Sequence, residues 1–196
     1  MPRPRTIDDA TVLDAAGDLL TRVGPGRLTL ARVAEEVGLA APTLVQRFGS
    51  KRGLLLAVAN RAVNWEPTFD AAREGNPSPL GALVDALVAL TAGVRTPDAM
   101  ANSLAFLQVD LTDPEFGAIT RAAMGALQRL IRDQLDEAVE AGELGTGADT
   151  KRLAEALEVV YNGALITWAI HRNGGVEAAM RRAVEYVLET QKSPAN

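Results

Sequence analysis

The stretch from Leu28 to Leu56, LTLARVAEEVGLAAPTLVQRFGSKRGLLL, constrains the fold of this chain more than any other part. Thr29 and Ser50 are good helix N-caps, because a side-chain hydroxyl can accept a hydrogen bond from a free backbone N–H of the first turn. Gly38 favours a left-handed helix end, and Pro42 suits the first turn of the next helix, where a missing N–H costs little. The pattern predicts two short helices joined by a tight turn, followed by the capped start of a third.

The second of these helices, at about 42–48, has an apolar side and a polar side. Leu44 and Phe48 lie four residues apart and predict the buried edge. The polar side chains that face outward are Thr43, Gln46 and Arg47. A short helix with an apolar back and a polar, cationic front, held across a turn from an apolar helix, is typical of the helix-turn-helix that enters the major groove of DNA.

A larger set of residues at fixed spacing runs through the same region: Thr29, Val33-Ala34, Val37-Gly38-Leu39, Thr43-Leu44, Phe48-Gly49, Ser50-Lys51 and Leu54-Leu55. With this set, roughly residues 7–60 resemble the DNA-binding domain of the tetracycline-repressor (TetR) family of bacterial regulators. The family commonly has Ser at position 40, Tyr at 45 and His or Tyr at 47, where this chain has Ala40, Val45 and Arg47. Val45 lacks the tyrosine hydroxyl that would contact a phosphate, whereas Arg47 supplies a permanent cation.

The resemblance implies how this region meets DNA. Thr43 and Gln46 are expected at base edges. The family places Lys51 against the DNA backbone, and Arg52 suggests one more phosphate contact, since the family often has an acidic residue there. The predicted DNA-binding residues are Thr29, Thr43, Gln46, Arg47, Lys51 and Arg52. Arg47, Lys51, Arg52 and the helix N-terminus that Thr29 caps are expected to hold phosphates.

The charge of the chain is divided unevenly. Residues 1–60 hold eight Lys/Arg against six Asp/Glu, whereas the remainder holds 12 against 19, within a net charge of −5. An acidic remainder would repel DNA and point the basic end at it, although chance can also produce such a split. Arg3 and Arg5 precede the first helix between prolines, and they either reach DNA or belong to a disordered arm.

Helical periodicity continues to the end of the chain. The first predicted helix, Asp8 to Val23, ends at Gly24-Pro25-Gly26. Pro67 ends or kinks the helix that follows Ser50, and we place a domain boundary there. The helices predicted after this boundary are 79–93, 97–109, 114–141, 149–172 and 176–190, three of which begin with an N-cap and a proline: Ser78-Pro79, Thr96-Pro97 and Asp113-Pro114.

These elements predict an all-α fold of nine helices in two domains. Residues 7–66 form a three-helix DNA-binding domain with the helix-turn-helix, and residues 67–196 form a ligand-binding and dimerisation domain. The sequence shows no internal repeat and no alternating strand pattern.

The last two predicted helices carry broad apolar stripes, over 153–168 and 176–187. Two antiparallel helices with wide apolar faces cover each other only partly, so the same helices of a second copy would complete a four-helix bundle with two-fold symmetry. The resemblance implies this dimer as well, although the stripes can also be monomer core. The predicted interface residues are Leu157, Val160, Ala164, Leu165, Met180, Val184 and Val187.

The helices between the boundary and these stripes bring together apolar residues that form either plain core or a cavity. The family resemblance alone indicates a pocket for an effector. Aromatic residues make up only 4% of the chain, and we expect a largely apolar, neutral ligand. The predicted ligand-binding residues are Leu83, Leu87, Leu104, Phe106, Leu107, Met124, Leu127, Gln128, Tyr161, Asn162 and Trp168, with Asn102 and Thr167 as further polar anchors.

Composition argues against several other classes. The chain has no cysteine and one histidine, His171, so neither thiolate chemistry nor a metal site is predicted. No enzyme activity and no cofactor are predicted. No apolar run approaches the ~18–20 residues of a bilayer span, and the N-terminus lacks an apolar signal core. We therefore expect a cytoplasmic protein that does not contact the membrane.

The sequence predicts a homodimeric DNA-binding transcriptional regulator of the TetR type. We expect a repressor that releases its double-stranded operator DNA when a small apolar molecule binds. Two alternatives stay open: a TetR-type regulator with no small-molecule ligand, and a helical interaction adaptor whose helix-turn-helix contacts protein. The adaptor fits poorly with three cations, Arg47, Lys51 and Arg52, on one surface.

Overall fold

In the computed structural model of this protein, residues 7–191 are described; Arg3 and Arg5 of the predicted arm lie outside this range. The predicted all-α fold is confirmed. Its helices are α1 Asp9–Arg27, α2 Leu30–Glu36, α3 Ala41–Phe48, α4 Lys51–Ala62, α5 Glu66–Gly75, α6 Pro79–Ala89, α7 Pro97–Thr112, α8 Pro114–Glu140, α9 Thr150–His171 and α10 Val176–Glu189, and a 3-10 turn, Leu90–Gly93, extends α6.

The predicted capping residues stand at the starts of their helices. Each cap oxygen accepts a hydrogen bond from a first-turn backbone N–H: Thr29 from Arg32 (3.2 Å), Ser50 from Gly53 (3.1 Å), Ser78 from Gly81 (3.0 Å), Thr96 from Ala99 (3.1 Å) and Asp113 from Glu115 (3.0 Å). The helix starts follow from local sequence because these bonds join residues two or three positions apart.

The segment around Pro67 differs from the prediction. α4 ends at Ala62, and Pro67 lies in the first turn of a separate helix, α5, with Glu66 before it. The proline marks a beginning because its missing N–H and restricted φ suit a first turn as well as they disrupt a helix interior. α5 is therefore an element in addition to the predicted set.

The chain forms two compact units, and the division differs from a single boundary at residue 66. The N-terminal unit comprises the residues up to Val63 together with Ala101–Thr120, and the C-terminal unit comprises Asn64–Met100 and the residues from Arg121 onward. α7 and α8 each contribute residues to both units. The reason is hydrophobic burial, because the side chain of Phe116 is only 1% exposed and belongs to the core of the N-terminal unit.

Each unit has its own hydrophobic core. In the N-terminal unit the core includes Val12, Ala16, Leu19, Leu28, Val33, Leu44, Leu54, Val58 and Phe116. In the C-terminal unit it includes Phe69, Leu83, Leu87, Leu127, Ile131, Leu135, Leu157, Trp168, Met180 and Val184.

The break in α1 depends on Gly24. Its φ of 76° and ψ of 165° lie in a region that essentially only glycine occupies. A Cβ atom there would also stand 2.6 Å from Oδ1 of Asn102, whose Nδ2 donates to the carbonyl of Thr21 at 2.8 Å. The predicted helix end at this glycine is confirmed, and one further turn continues to Arg27.

We expect Gly24→Ala to lower the free energy of unfolding by about 1–3 kcal/mol, because alanine must adopt a strained backbone conformation. Gly26→Ala is the matched control, since its Cβ would meet nothing within 4 Å. Urea denaturation of both variants checks this. Equal losses of stability in the two variants would show that the break at Gly24 is not responsible.

Candidate nucleic-acid interface

The helix-turn-helix consists of α2, a four-residue turn and α3. The turn closes through the left-handed Gly38, with φ of 70°, and through a hydrogen bond from Leu39 N to Ala34 O at 2.8 Å. Leu44 is fully buried on the inner side of α3. The hydroxyl of Thr29 is the cap of α2, so Thr29 contributes to the interface by fixing where this helix begins.

The outer face of α3 is exposed and carries no charge. Pro42, Val45 and Gln46 are exposed, whereas Thr43 is half-buried. Gln46 therefore stands where sequence analysis expected a base-reading side chain. Thr43 is less accessible than predicted, because its position on α3 is turned partly toward the core.

Arg47 points away from this outer face. Its Nη2 donates to the carbonyl of Ile7 at 2.7 Å, and its Nε lies 2.7 Å from Oδ1 of Asp9. Only 23% of the side chain is exposed. In this structure the guanidinium ties the end of α3 to the start of α1, so the predicted phosphate contact of Arg47 would require it to leave these partners.

Arg52 is also engaged inside the N-terminal unit. Its Nη2 lies 2.9 and 2.8 Å from the two carboxylate oxygens of Asp113, and its Nη1 donates to Oε2 of Glu115 at 2.8 Å. The guanidinium carbon lies 5.6 Å from the ring centroid of Phe116. Arg52 thus joins the first turn of α4 to the start of α8, and its predicted phosphate contact would compete with these carboxylates.

Arg52 affects the titration of Asp113. Hydrogen bonds from Arg52 lower the pKa of Asp113. A lowered carboxyl pKa means that the stabilising pair is complete above the ordinary value of about 3.9. The contribution is lost only as the pH falls through the lowered pKa of the folded state.

Lys51 remains a candidate for the DNA backbone. Its Nζ donates to the carbonyl of Gly26 at 3.3 Å, a long contact that leaves the ammonium near the surface. Sequence analysis overlooked two exposed cations beside it in this unit, Arg27 and Arg32, which are joined by a 3.2 Å hydrogen bond from Arg32 Nη1 to the carbonyl of Arg27. Both residues are close in sequence to Thr29, the N-cap of α2, and this proximity could have identified them as candidates for phosphate contacts.

The predicted dimer residues divide into two groups in the C-terminal unit. Leu157, Leu165, Met180 and Val184 are at most 6% exposed and belong to the core of the subunit, which corrects their assignment to an interface. The partly buried Val160, Ala164 and Val187 line a groove of about 840 Å³ between α9 and α10, together with Tyr186. The stripes are broad enough that sequence alone did not show which edge faces inward.

α9 is apolar on its outer side too. On α9, Val159 and Ile170 are 72% and 71% exposed, and Ile166 is 37% exposed. On α10, Tyr186 is 73% exposed. With 22 residues, α9 is long and apolar enough by length and composition to cross a membrane. A helix that packs in a protein core on one side and is apolar on the other has the same length and composition, and Glu155 and Glu158 interrupt the apolar residues of α9.

The predicted ligand-binding residues belong to both units. Leu104, Phe106 and Leu107 belong to the N-terminal unit, as does Asn102; the ring of Phe106 packs edge-on against Phe116, with the centroids 5.8 Å apart. These four differ from the prediction in their unit, because α7 leaves the C-terminal unit after Met100.

The remaining predicted ligand residues belong to the C-terminal unit and have different surroundings. Leu83, Leu87 and Leu127 are at most 1% exposed and lie in its core, with Met124 half-buried. Asn162 and Thr167 are exposed, which corrects their assignment as inner anchors. Gln128 donates to Glu158 and lines an outer cleft of about 230 Å³.

Two aromatic side chains of the predicted pocket are tied to backbone carbonyls. The hydroxyl of Tyr161 donates to Leu90 O at 3.3 Å, and burial raises the Tyr161 pKa to about 12. Trp168, 6% exposed, donates from Nε1 to Gly174 O at 3.0 Å. Both hydrogen bonds therefore tie α9 to neighbouring backbone within the C-terminal unit.

We expect Arg47→Ala to lower the free energy of unfolding by about 1–3 kcal/mol, because it removes charged hydrogen bonds at a half-buried site. The salt dependence of DNA binding should stay unchanged. Lys51→Ala should instead flatten that salt slope by about one unit. Urea denaturation and DNA titrations at several salt concentrations check both. A flatter slope for Arg47→Ala would mean that this guanidinium leaves Asp9 for a phosphate on binding.

Comparisons with known proteins agree with this architecture. Residues 12–58 match the model described as bacterial regulatory proteins, tetR family, and residues 79–192 match the C-terminal model of the BetI-type transcriptional repressors. The HTH-type transcriptional repressor ComR of Escherichia coli (strain K12) is 29% identical over 173 residues, covering 84% of this chain and 81% of ComR.

Solved structures of similar fold give the same assignment. A TetR-family regulator from Rhodococcus sp. has a TM-score of 0.70 at 22% identity, covering 93% of this chain and 96% of its own. The TetR-family regulator CifR, complexed with 26-bp operator DNA, has a TM-score of 0.66 at 25% identity, with coverages of 95% and 98%. FadR from Bacillus subtilis, in complex with stearoyl-CoA, has a TM-score of 0.69 at 16% identity, with coverages of 92% and 98%. The chain belongs to the TetR family of bacterial transcriptional regulators, with a C-terminal region of the BetI type.

Proposed function

We propose that this chain acts as a homodimeric repressor that releases its operator when a small, largely apolar molecule binds the C-terminal unit. The observation that carries the proposal is the exposed apolar face formed by α9 and α10. A helix-turn-helix protein reads two half-sites as a dimer, and such a face supplies a surface on which two copies can pair.

The dimer is argued from the area that α9 leaves uncovered. Val159, Ile166 and Ile170 recur at helical spacing along its outer side, and the exposed Tyr186 of α10 lines the groove between α9 and α10. Exposed apolar patches of this kind mark interaction sites in soluble proteins. Because the patch lies on two adjacent helices, a two-fold axis through it produces a four-helix bundle in which both copies use the same residues.

Operator binding is assigned to α3 and the cations beside it. The operator complex of CifR shows that a relative of similar fold binds duplex DNA. In this chain we infer that Gln46 contacts base edges and that Lys51, Arg27 and Arg32 contact phosphates. An operator on the chromosome requires the protein to act in the cytoplasm.

The effector is assigned to the C-terminal unit by analogy with the FadR of Bacillus subtilis, whose structure contains stearoyl-CoA. We infer a small, mainly apolar molecule for this chain, because Leu83, Leu87 and Leu127 provide an apolar interior. These side chains are closely packed here, so the molecule has to displace them on entry.

Release is assigned to α8, which begins in the N-terminal unit and continues into the C-terminal unit. At its start, Glu115 and the adjacent Asp113 hold Arg52 of α4. A ligand that shifts α8 would shift α4 through these bonds and change the spacing of the two α3 helices in the dimer. A coupling of about 1–3 kcal/mol corresponds to a loss of operator affinity of about 5–150-fold.

A regulator with no effector is a second candidate. The burial of Leu83, Leu87 and Leu127 to at most 1% exposure favours it, since these residues already form a closed core. Such a protein would respond only to its own concentration or to a protein partner. The effector screen below separates the two candidates.

We expect Tyr186→Glu to convert the dimer to monomers, because pairing would bury an unpaired charge and cost several kcal/mol, enough to dissociate a sub-micromolar dimer. Its fold should persist, since Tyr186 is 73% exposed in the subunit. Light scattering after size-exclusion chromatography measures the state. Operator affinity should fall in parallel.

Leu111→Glu is the matched control for this dimer test, because Leu111 is 79% exposed but belongs to the N-terminal unit. It should leave the dimer intact. Val184→Glu is unsuitable because Val184 is fully buried in the subunit, so the charge would disrupt the fold itself. A dimeric Tyr186→Glu protein would move the interface elsewhere.

We expect apolar effectors to change the intrinsic fluorescence, since both tryptophans, Trp65 and Trp168, belong to the C-terminal unit. A panel of long-chain acyl compounds and other apolar molecules is screened for a fluorescence change, and each hit is titrated against the operator complex. Trp65→Phe keeps only Trp168 and tests whether the signal comes from α9. Hits that bind without weakening the operator complex, or no hits at all, would favour the effector-free repressor.

A further inference from the structure

Val45 is an exposed apolar side chain at the centre of the proposed DNA-reading face. It is 49% exposed, while Leu44 beside it is fully buried. Residues three and four apart share one face of a helix, so Val45 lies beside Pro42 and in line with Gly49. Gln46 is the adjacent exposed residue.

The outer face of α3 is uncharged because the cation of this helix, Arg47, is turned away from it. Arg47 is bound to Ile7 and Asp9 of the N-terminal unit. The face therefore offers one amide, from Gln46, and one branched apolar group, from Val45. It offers no guanidinium to the guanine edge, which is the edge that arginine most often reads.

The major-groove edge of DNA has one apolar group that matches a valine. Thymine presents its C5 methyl there, beside an acceptor oxygen, and small apolar side chains contact that methyl in specific complexes. A β-branched side chain suits the contact because its χ1 angle is already restricted in a helix, so little rotamer freedom is lost on binding. Gln46 has the donor and acceptor that adenine requires.

We propose that Val45 is a specificity-determining residue that recognises the methyl group of a thymine in each operator half-site, in a segment where Gln46 contacts adenine. The proposal rests on the proposed function, because it requires α3 to lie in the major groove. It assigns a role to a position at which the resemblance alone implied only the loss of a tyrosine contact.

The experiment uses the full-length dimer and its own operator. Selection from random duplexes first gives the preferred sequence. Each thymine of one half-site is then replaced, one at a time, by deoxyuridine, which removes the methyl group and leaves the base pairing intact. At one position we expect the affinity of the wild-type protein to fall by about fourfold, as follows from losing one buried methyl group.

Variants at position 45 connect this loss to the side chain. Val45→Ala should bind the thymine operator about as weakly as the wild type binds the deoxyuridine operator, and it should respond little to the substitution. Val45→Thr keeps a methyl group in the same place and should retain most of the response. Because Val45 is exposed, both variants should unfold at the same urea concentration as the wild type.

The outcomes separate this inference from the proposed function. If no thymine is sensitive to deoxyuridine, or if the sensitivity is unchanged in Val45→Ala, Val45 does not recognise thymine even though the selected operator is bound. If selection yields no preferred sequence and all duplexes bind equally, the operator function itself has failed.

Discussion

The attachment of Ala101–Thr120 to the rest of the N-terminal unit rests on the buried Phe116 and on the pairing of Arg52 with Asp113 beside it. This unit is built from two separate stretches of chain, the residues up to Val63 and Ala101–Thr120. Two carboxylate contacts to Asp113, one to Glu115 and a stacking contact with Phe116 hold the second stretch on the first turn of α4. A single exposed ion pair contributes little, so the importance of this one lies in its two-pronged geometry and in the buried ring beneath it.

The same interaction explains why α4 can carry two cations in its first turn. Positive charge near a helix N-terminus is unfavourable for the macrodipole. The carboxylates of Asp113 and Glu115 neutralise Arg52. The unfavourable interaction with the helix dipole therefore remains for Lys51, whose Nζ donates to the carbonyl of Gly26. Lys51 is then the cation of this turn that has no carboxylate partner among residues 7–191.

The parts of the fold that the sequence predicted well depend on bonds between close neighbours. The caps Thr29, Ser50 and Ser78 and the left-handed Gly38 each act within three or so residues, so composition and spacing suffice. The exposure of Gln46 on the outer side of α3 followed from helical spacing in the same way. The roles of Arg47 and Arg52 did not follow, because their partners are 40 and 61 residues away in the chain. From sequence alone, a cation that binds phosphate cannot be distinguished from one that pairs with a distant carboxylate.

The apolar stripes of the last two helices show a second limit. Periodicity correctly marked α9 and α10 as rich in apolar residues, yet it assigned Leu157 and Val184 to the interface, although both lie in the core of the subunit. A helix with apolar residues on two sides has two candidate inner faces, and only the packing of its neighbours decides between them. In α9 the face with Leu157 packs inward, so the opposite face, with Val159 and Ile170, stays exposed. That uncovered face is the reason why we propose pairing with a second copy, because a contact with two-fold symmetry would cover the same face on both copies.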